Sequence, residues 1–131
     1  QIHDRDAHDE VLETLARVGA PDRTVFHCFS GDEAMARVAA DRGYWLSFAG
    51  NVTFKNAQNL RDALAVTRLE RILVETDAPF LTPTPFRGRP NAPYLVPVTV
   101  RFVAAELGID LDAFCAQLAA NTLEVYGAFE D

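Results

Sequence analysis

Apolar and polar positions along this chain switch repeatedly between two periods. Val11, Leu12, Leu15 and Val18 recur at helical spacing across residues 7–18, and Gly19 closes that segment. Residues 24–29 form a short β-rich run around Val25 and Phe26. Residues 32–42 return to helical spacing, with Asp32 or Ser30 as cap, Met35, Val38 and Ala39 on one face, and Gly43 past the end. Residues 44–49 read as a strand, 56–66 as a helix with Ala57, Leu60 and Leu64 inward, and 71–76 as a further strand. Beyond the proline-rich segment 79–93 only helices are predicted, over 94–107, over 111–118 and as a short piece near 121–126.

Strands alternating with helices predict parallel strands joined by right-handed crossovers. His3 and His27 are 24 residues apart, and His27 and Asp77 are 50 apart, or two units of 25. On that arithmetic His3, His27 and Asp77 occupy equivalent strand ends, with Gly50-Asn51 at the same place on the strand between them. This is the layout of a (β/α)-barrel face that carries an active site. Four strands make half of an eight-stranded barrel, which usually needs about 250 residues. Only two residues precede His3 in the first strand, and an open four-stranded sheet would leave two edges and an apolar face exposed. The chain is therefore expected to be the C-terminal half of a longer protein, with residues 1–131 forming one partial barrel domain.

The segment Ile72-Leu73-Val74 runs straight into Glu75, Thr76 and Asp77 and stops at Pro79. Alternation along a strand sends Glu75 and Asp77 to the same side, where two anions are costly unless a cation or hydrogen-bond donors answer them. Two imidazoles and a carboxylate at matching strand ends suit Zn²⁺, Mn²⁺ or another borderline divalent ion, and carboxylates also suit Mg²⁺. The net charge of −7 argues against coating nucleic acid with the whole surface, but leaves room for a small site where metal ions supply the positive charge. Cys28 and Cys115 form no Cys-x-x-Cys pair, so a reduced, cytoplasmic chain is expected. No apolar run approaches the roughly 20 residues that cross a bilayer.

At this point whole segments match a family. His3-Asp4-Arg5-Asp6-Ala7, His27-Cys28-Phe29-Ser30-Gly31, the run 47–55 (SFAGNVTFK), Glu75-Thr76-Asp77-Ala78-Pro79 and the loop 87–93 (RGRPNAP) resemble, in order, the TatD family of metal-dependent hydrolases. The resemblance implies strands 5–8 of an amidohydrolase-like (β/α)8 TIM barrel with two divalent ions (Mg²⁺, Mn²⁺ or Zn²⁺) and deoxyribonuclease activity. It implies that His3 and His27 are metal ligands ending the fifth and sixth strands. Asp77, ending the eighth, would bind metal and contact the nucleophilic water, and Glu75 would support the site or handle a proton. The family's His-x-His pair and bridging glutamate have no counterpart among these residues, so the chain alone is expected to be inactive.

Further expectations are graded by position. Arg5 could reach a substrate phosphate or pair with Asp4, Asp6 or Asp9. Arg87 and Arg89 sit in a Gly/Pro-rich loop where phosphate contact is plausible. Asn51 and Lys55 could line the cleft, with Asn51 fixing its turn. Cys28 is expected to face the helices, His8 the solvent, and Trp45, Phe48 and Phe54 to pack, although an aromatic at the cleft rim could stack on a base. The expected partners are a nucleic-acid substrate, DNA preferred, and a missing N-terminal half-barrel or a second copy of the chain. Two other readings remain: a lactonase, amidase or deaminase of the same superfamily, and a non-catalytic half-barrel assembly unit.

Overall fold

The computed structural model describes residues 1–128. Four parallel strands lie in chain order: β1 (Ile2–His3), β2 (Val25–His27), β3 (Trp45–Phe48) and β4 (Ile72–Val74). The crossovers contain α1 (His8–Val18), α2 (Glu33–Asp41) and α3 (Gln58–Val66), and the chain continues into α4 (Val96–Leu107) and α5 (Leu111–Tyr126). The helices expected over 7–18, 32–42, 56–66 and 94–107 are each present. Asp32 caps α2 by accepting the Met35 N–H, whereas the Ser30 hydroxyl donates to the Asp4 carbonyl.

One correction concerns the C-terminus, where the two expected helices are a single helix, α5. Asn121 looks like a helix-starting residue in the sequence. It is instead a buried mid-helix anchor, its Nδ2 donating to the carbonyls of Leu69 and Ile72, both at 2.8 Å.

Alternation along the strands divides the core between two faces. Phe26, Leu46, Phe48 and Ile72 pack outward against the buried faces of α2, α3 and α4. Val25, Trp45 and Leu73 point the other way and are covered by Val125 near the end of α5. The apolar inner face expected to be open is thus closed at its lower level. Arg71 stacks over the Trp45 ring at 3.9 Å and pairs with Glu124 of α5 at 2.8 Å, tying the helix to that face. Two residues further along each strand the same face becomes polar, with His27, Ser47 and Glu75. Among the described residues, no helix is long and apolar enough to cross a membrane.

The register also corrects the unit arithmetic. His3 pairs with His27 as expected, but Phe26 pairs with Leu46 and Leu46 with Ile72, separations of 20 and 26 residues. Continued, this register carries His27 to Ser47 and Leu73. Glu75 lies two residues beyond that point, and Asp77 lies in the loop after β4.

Candidate metal centre

Because β1 and β2 end in register, they bring the two imidazoles together: His3 Nδ1 lies 3.3 Å from His27 Nε2. The other nitrogen of His27, Nδ1, is 2.8 Å from Glu75 Oε1. A carboxylate oxygen accepts, so Nδ1 donates this hydrogen bond, and the tautomer with its single proton on Nδ1 presents the Nε2 lone pair toward His3. Two nitrogens held about 2.0–2.1 Å from one ion at a roughly tetrahedral angle are about 3.3–3.4 Å apart, so the observed spacing fits a shared cation. His27, Glu75 and Asp77 also offer one donor atom each within 4.8 Å of one another. This donor set, two nitrogens with carboxylate oxygens, suits a divalent ion.

The surrounding cavity, about 560 Å³, is lined by His3, Asp4, Arg5, Asp6, His27, Cys28, Ser30, Asn51, Asp77, Phe80 and Leu81. Among the described residues, the four non-glycine residues with positive φ are Asp6, Cys28, Asp77 and Leu81, at 47–57°, and all four line it. An L-residue in the left-handed region costs about 1–2 kcal/mol, and such outliers concentrate where a site overrides local preference. Asp77 is aimed by this turn rather than by strand alternation.

The loop after β4 is fixed by buried polar groups. Asn91 Nδ2 donates to the carbonyls of Thr76 (2.8 Å) and Phe80 (2.7 Å), and its main-chain N–H donates to Pro79 at 3.0 Å. The Thr53 hydroxyl donates to Gly50 and accepts the Thr84 N–H. Gly50 allows this closure, since a Cβ there would sit 2.1 Å from the Leu81 carbonyl oxygen and 2.9 Å from the Pro83 ring.

His3, His27, Asp77, Arg5 and Asn51 thus meet at one cavity, and Glu75 joins through His27. Lys55, Arg87 and Arg89 are exposed and lie outside its lining, with Arg87 placed 4.0 Å over the Phe54 ring. Among the described residues, no carboxylate lies within 4.0 Å of the Arg5 guanidinium, so its expected pairing with Asp4, Asp6 or Asp9 does not form. Asn51 fixes its turn through its main-chain carbonyl, which accepts the Phe54 N–H, while its side-chain Oδ1 is buried without a partner.

His8 is not a bare surface residue: its Nδ1 lies 2.6 Å from Asp4 Oδ2. Cys28 faces the cavity rather than the helices, because its positive φ turns it away from the strand direction. Burial first, then the charges of Asp77 and Glu75 and a hydrogen bond to Asp77, push its thiol up to about 12, against the pull of Arg5. Phe80, absent from the sequence-derived candidates, stands at the cavity rim; its only sequence signal was its place three residues after Asp77.

A family model described as TatD related DNase matches residues 1–127. The uncharacterized metal-dependent hydrolase TatD of Mycobacterium tuberculosis is 44% identical over 126 residues, covering 96% of this chain and 48% of that protein. The uncharacterized metal-dependent hydrolase YcfH of Escherichia coli is 40% identical over 126 residues, covering 95% of this chain and 48% of that protein. Among solved structures, YjjV, a TatD homolog from Escherichia coli, superposes with a TM-score of 0.89 at 29% identity, covering 97% of this chain and 49% of that one. A TatD-family hydrolase from Entamoeba histolytica gives 0.85 at 17% identity, covering 96% and 50%, a likeness of fold alone. The chain spans about half the length of the curated relatives it matches, and its fold is half of their TIM barrel.

Proposed function

The chain belongs to the family of TatD-related DNases, and on that footing we propose that it supplies half the active site of a metal-dependent phosphodiesterase acting on DNA. The observation that carries this reading is the pair of facing imidazole nitrogens, His3 Nδ1 and His27 Nε2, 3.3 Å apart beside the Glu75 and Asp77 carboxylates. His3, His27 and Asp77 would hold divalent metal, two ions in the complete barrel, of the Mg²⁺, Mn²⁺ or Zn²⁺ class. A bound divalent ion lowers the pKa of water into the neutral range and neutralises charge on phosphoryl oxygens.

The chain's own residues do the remaining work. Glu75 fixes the His27 tautomer by accepting a hydrogen bond from Nδ1–H, leaving Nε2 free to ligate. Asp77 orients the attacking water and accepts its proton. Arg5, at the cavity wall and paired with no carboxylate among the described residues, draws the substrate phosphate. Asn51 lies deeper in the same wall and positions the substrate with its amide, while Lys55, Arg87 and Arg89 supply positive charge along the approach. The complementary half-barrel, carrying the family's remaining ligands, is the partner that completes the site.

The test is Asp77→Asn in the complete barrel, assayed on DNA with Mg²⁺ or Mn²⁺. Turnover is expected to fall by at least about 100-fold, the scale of a lost general base. Undiminished metal-dependent cleavage would refute the role of Asp77, and wild-type activity on lactones or amides but not on DNA would refute the substrate.

A further inference from the structure

We propose that Phe80 is a base-stacking platform, so that the site recognises a nucleobase next to the phosphodiester and not the phosphate alone. This deepens the phosphodiesterase reading and rests on it. Phe80 lines the same cavity as His3, His27 and Asp77, yet in this half-barrel it is 67% exposed. An exposed phenylalanine forgoes the free energy that burial would supply. Its position is not that of a loose loop tip, because its N–H donates to the Asp77 carbonyl at 2.9 Å and its own carbonyl accepts from Asn91, itself buried. The ring is thus presented to solvent on a fixed backbone, three residues from the proposed proton acceptor.

Phe86 and Tyr94 are also exposed but lie outside the cavity lining, and the aromatics nearer the strands are already packed. Phe48 and Trp45 are buried, and Phe54 lies under Arg87. Phe80 is the one phenylalanine, tyrosine or tryptophan among the described residues of the cavity wall.

Charge points the same way. Residues 78–93 of the loop after β4 contain no Asp or Glu, although the chain has 19, and they carry Arg87 and Arg89. The segment that presents Phe80 is therefore positively charged within an acidic protein, as an approach for a polyanion requires. Arg5 on the cavity wall offers a cation to a phosphate, and Phe80 offers a flat apolar face to the adjoining base. Every base has a π-face, so such a platform serves without reading sequence.

The experiment is equilibrium binding to the complete barrel, with Ca²⁺ in place of Mg²⁺ to hold turnover down. The probes are a labelled oligothymidylate and the same strand with tetrahydrofuran abasic units in place of its nucleosides. Phe80→Leu, which keeps bulk but removes the ring, is expected to weaken binding of the base-bearing strand about tenfold. The same variant should leave the abasic strand within about twofold, and Phe80→Tyr should bind both as the wild type does. Equal losses on both strands would assign Phe80 to packing against the other half-barrel and overturn the proposal. So would unchanged binding of the base-bearing strand, or a wild type that does not prefer it. Cleavage of the base-bearing strand in Mg²⁺ or Mn²⁺ is scored separately. Phe80-dependent binding without cleavage sinks the phosphodiesterase reading and keeps the platform; cleavage with no effect of Phe80→Leu does the reverse.

Discussion

A single proton decides what His27 can do. While Nδ1–H is committed to Glu75 at 2.8 Å, the ring offers Nε2 and nothing else, and Nε2 faces His3. Glu75→Gln replaces an acceptor-only carboxylate by an amide that can also donate to Nδ1, so the tautomer with its proton on Nε2 is no longer excluded, and the change is expected to weaken metal affinity about 10–100-fold with little change in fold. Calorimetric titration of the complete barrel with Mn²⁺ checks this, and an unchanged affinity would remove Glu75 from the site.

Cys28 makes a second test at this scale. Its folded-state pKa, about 12, lies above the ordinary 9.0, so the folded chain holds the proton more tightly than the unfolded one. Its contribution to stability is therefore fully present below 9.0 and is lost as pH rises toward about 12. In the metal-free chain, alkylation at pH 8 should label exposed Cys115 and spare Cys28, as peptide mass mapping would show.

Between elements, the site depends on how closely the loop after β4 approaches the turn after β3. Gly50 makes that approach possible, and the atoms that would meet a new Cβ are the Leu81 backbone and the Pro83 ring, neither able to move alone. Gly50→Ala is expected to cost about 1–3 kcal/mol, read as a lower urea midpoint, because the loop carrying Leu81 must shift. A midpoint equal to wild type would mean that the loop is not held as described.

The same junction shows what the sequence could convey. Helical periodicity located all the helices, and the Ile72-Leu73-Val74 run located β4, because burial on one face leaves a periodic trace. The 24-residue step placed His3 beside His27 correctly. The later steps failed because the connections are unequal: the one through α2 takes only 20 residues from Phe26 to Leu46, whereas the one through α3 takes 26 from Leu46 to Ile72 and holds two 3-10 turns, at Gly50–Thr53 and Leu69–Arg71. Asp77, Cys28 and Phe80 take their directions from left-handed backbone and from Asn91, and neither leaves a period to read. Asn121 misled for a related reason: a helix-breaking residue type serves here as a buried clamp on two carbonyls.

Across the whole molecule, one sheet face is divided by level. Val25, Trp45 and Leu73 form an apolar layer sealed by the end of α5, and His27 and Glu75 stand above it at the strand C-termini. The helices therefore anchor the outer side, α5 closes the bottom, and the polar rim is left to chemistry. The sheet ends at β1 and β4, and the chain spans about half the length of the relatives it matches. The central claim is that His3, His27 and Asp77 are half of a divalent-metal centre. Anomalous diffraction from crystals of the complete barrel grown with Mn²⁺ tests it most directly. The account predicts a peak about 2.0–2.3 Å from the nitrogens of His3 and His27 or from an Asp77 oxygen. A barrel whose only metal peaks lie away from all three side chains would contradict it.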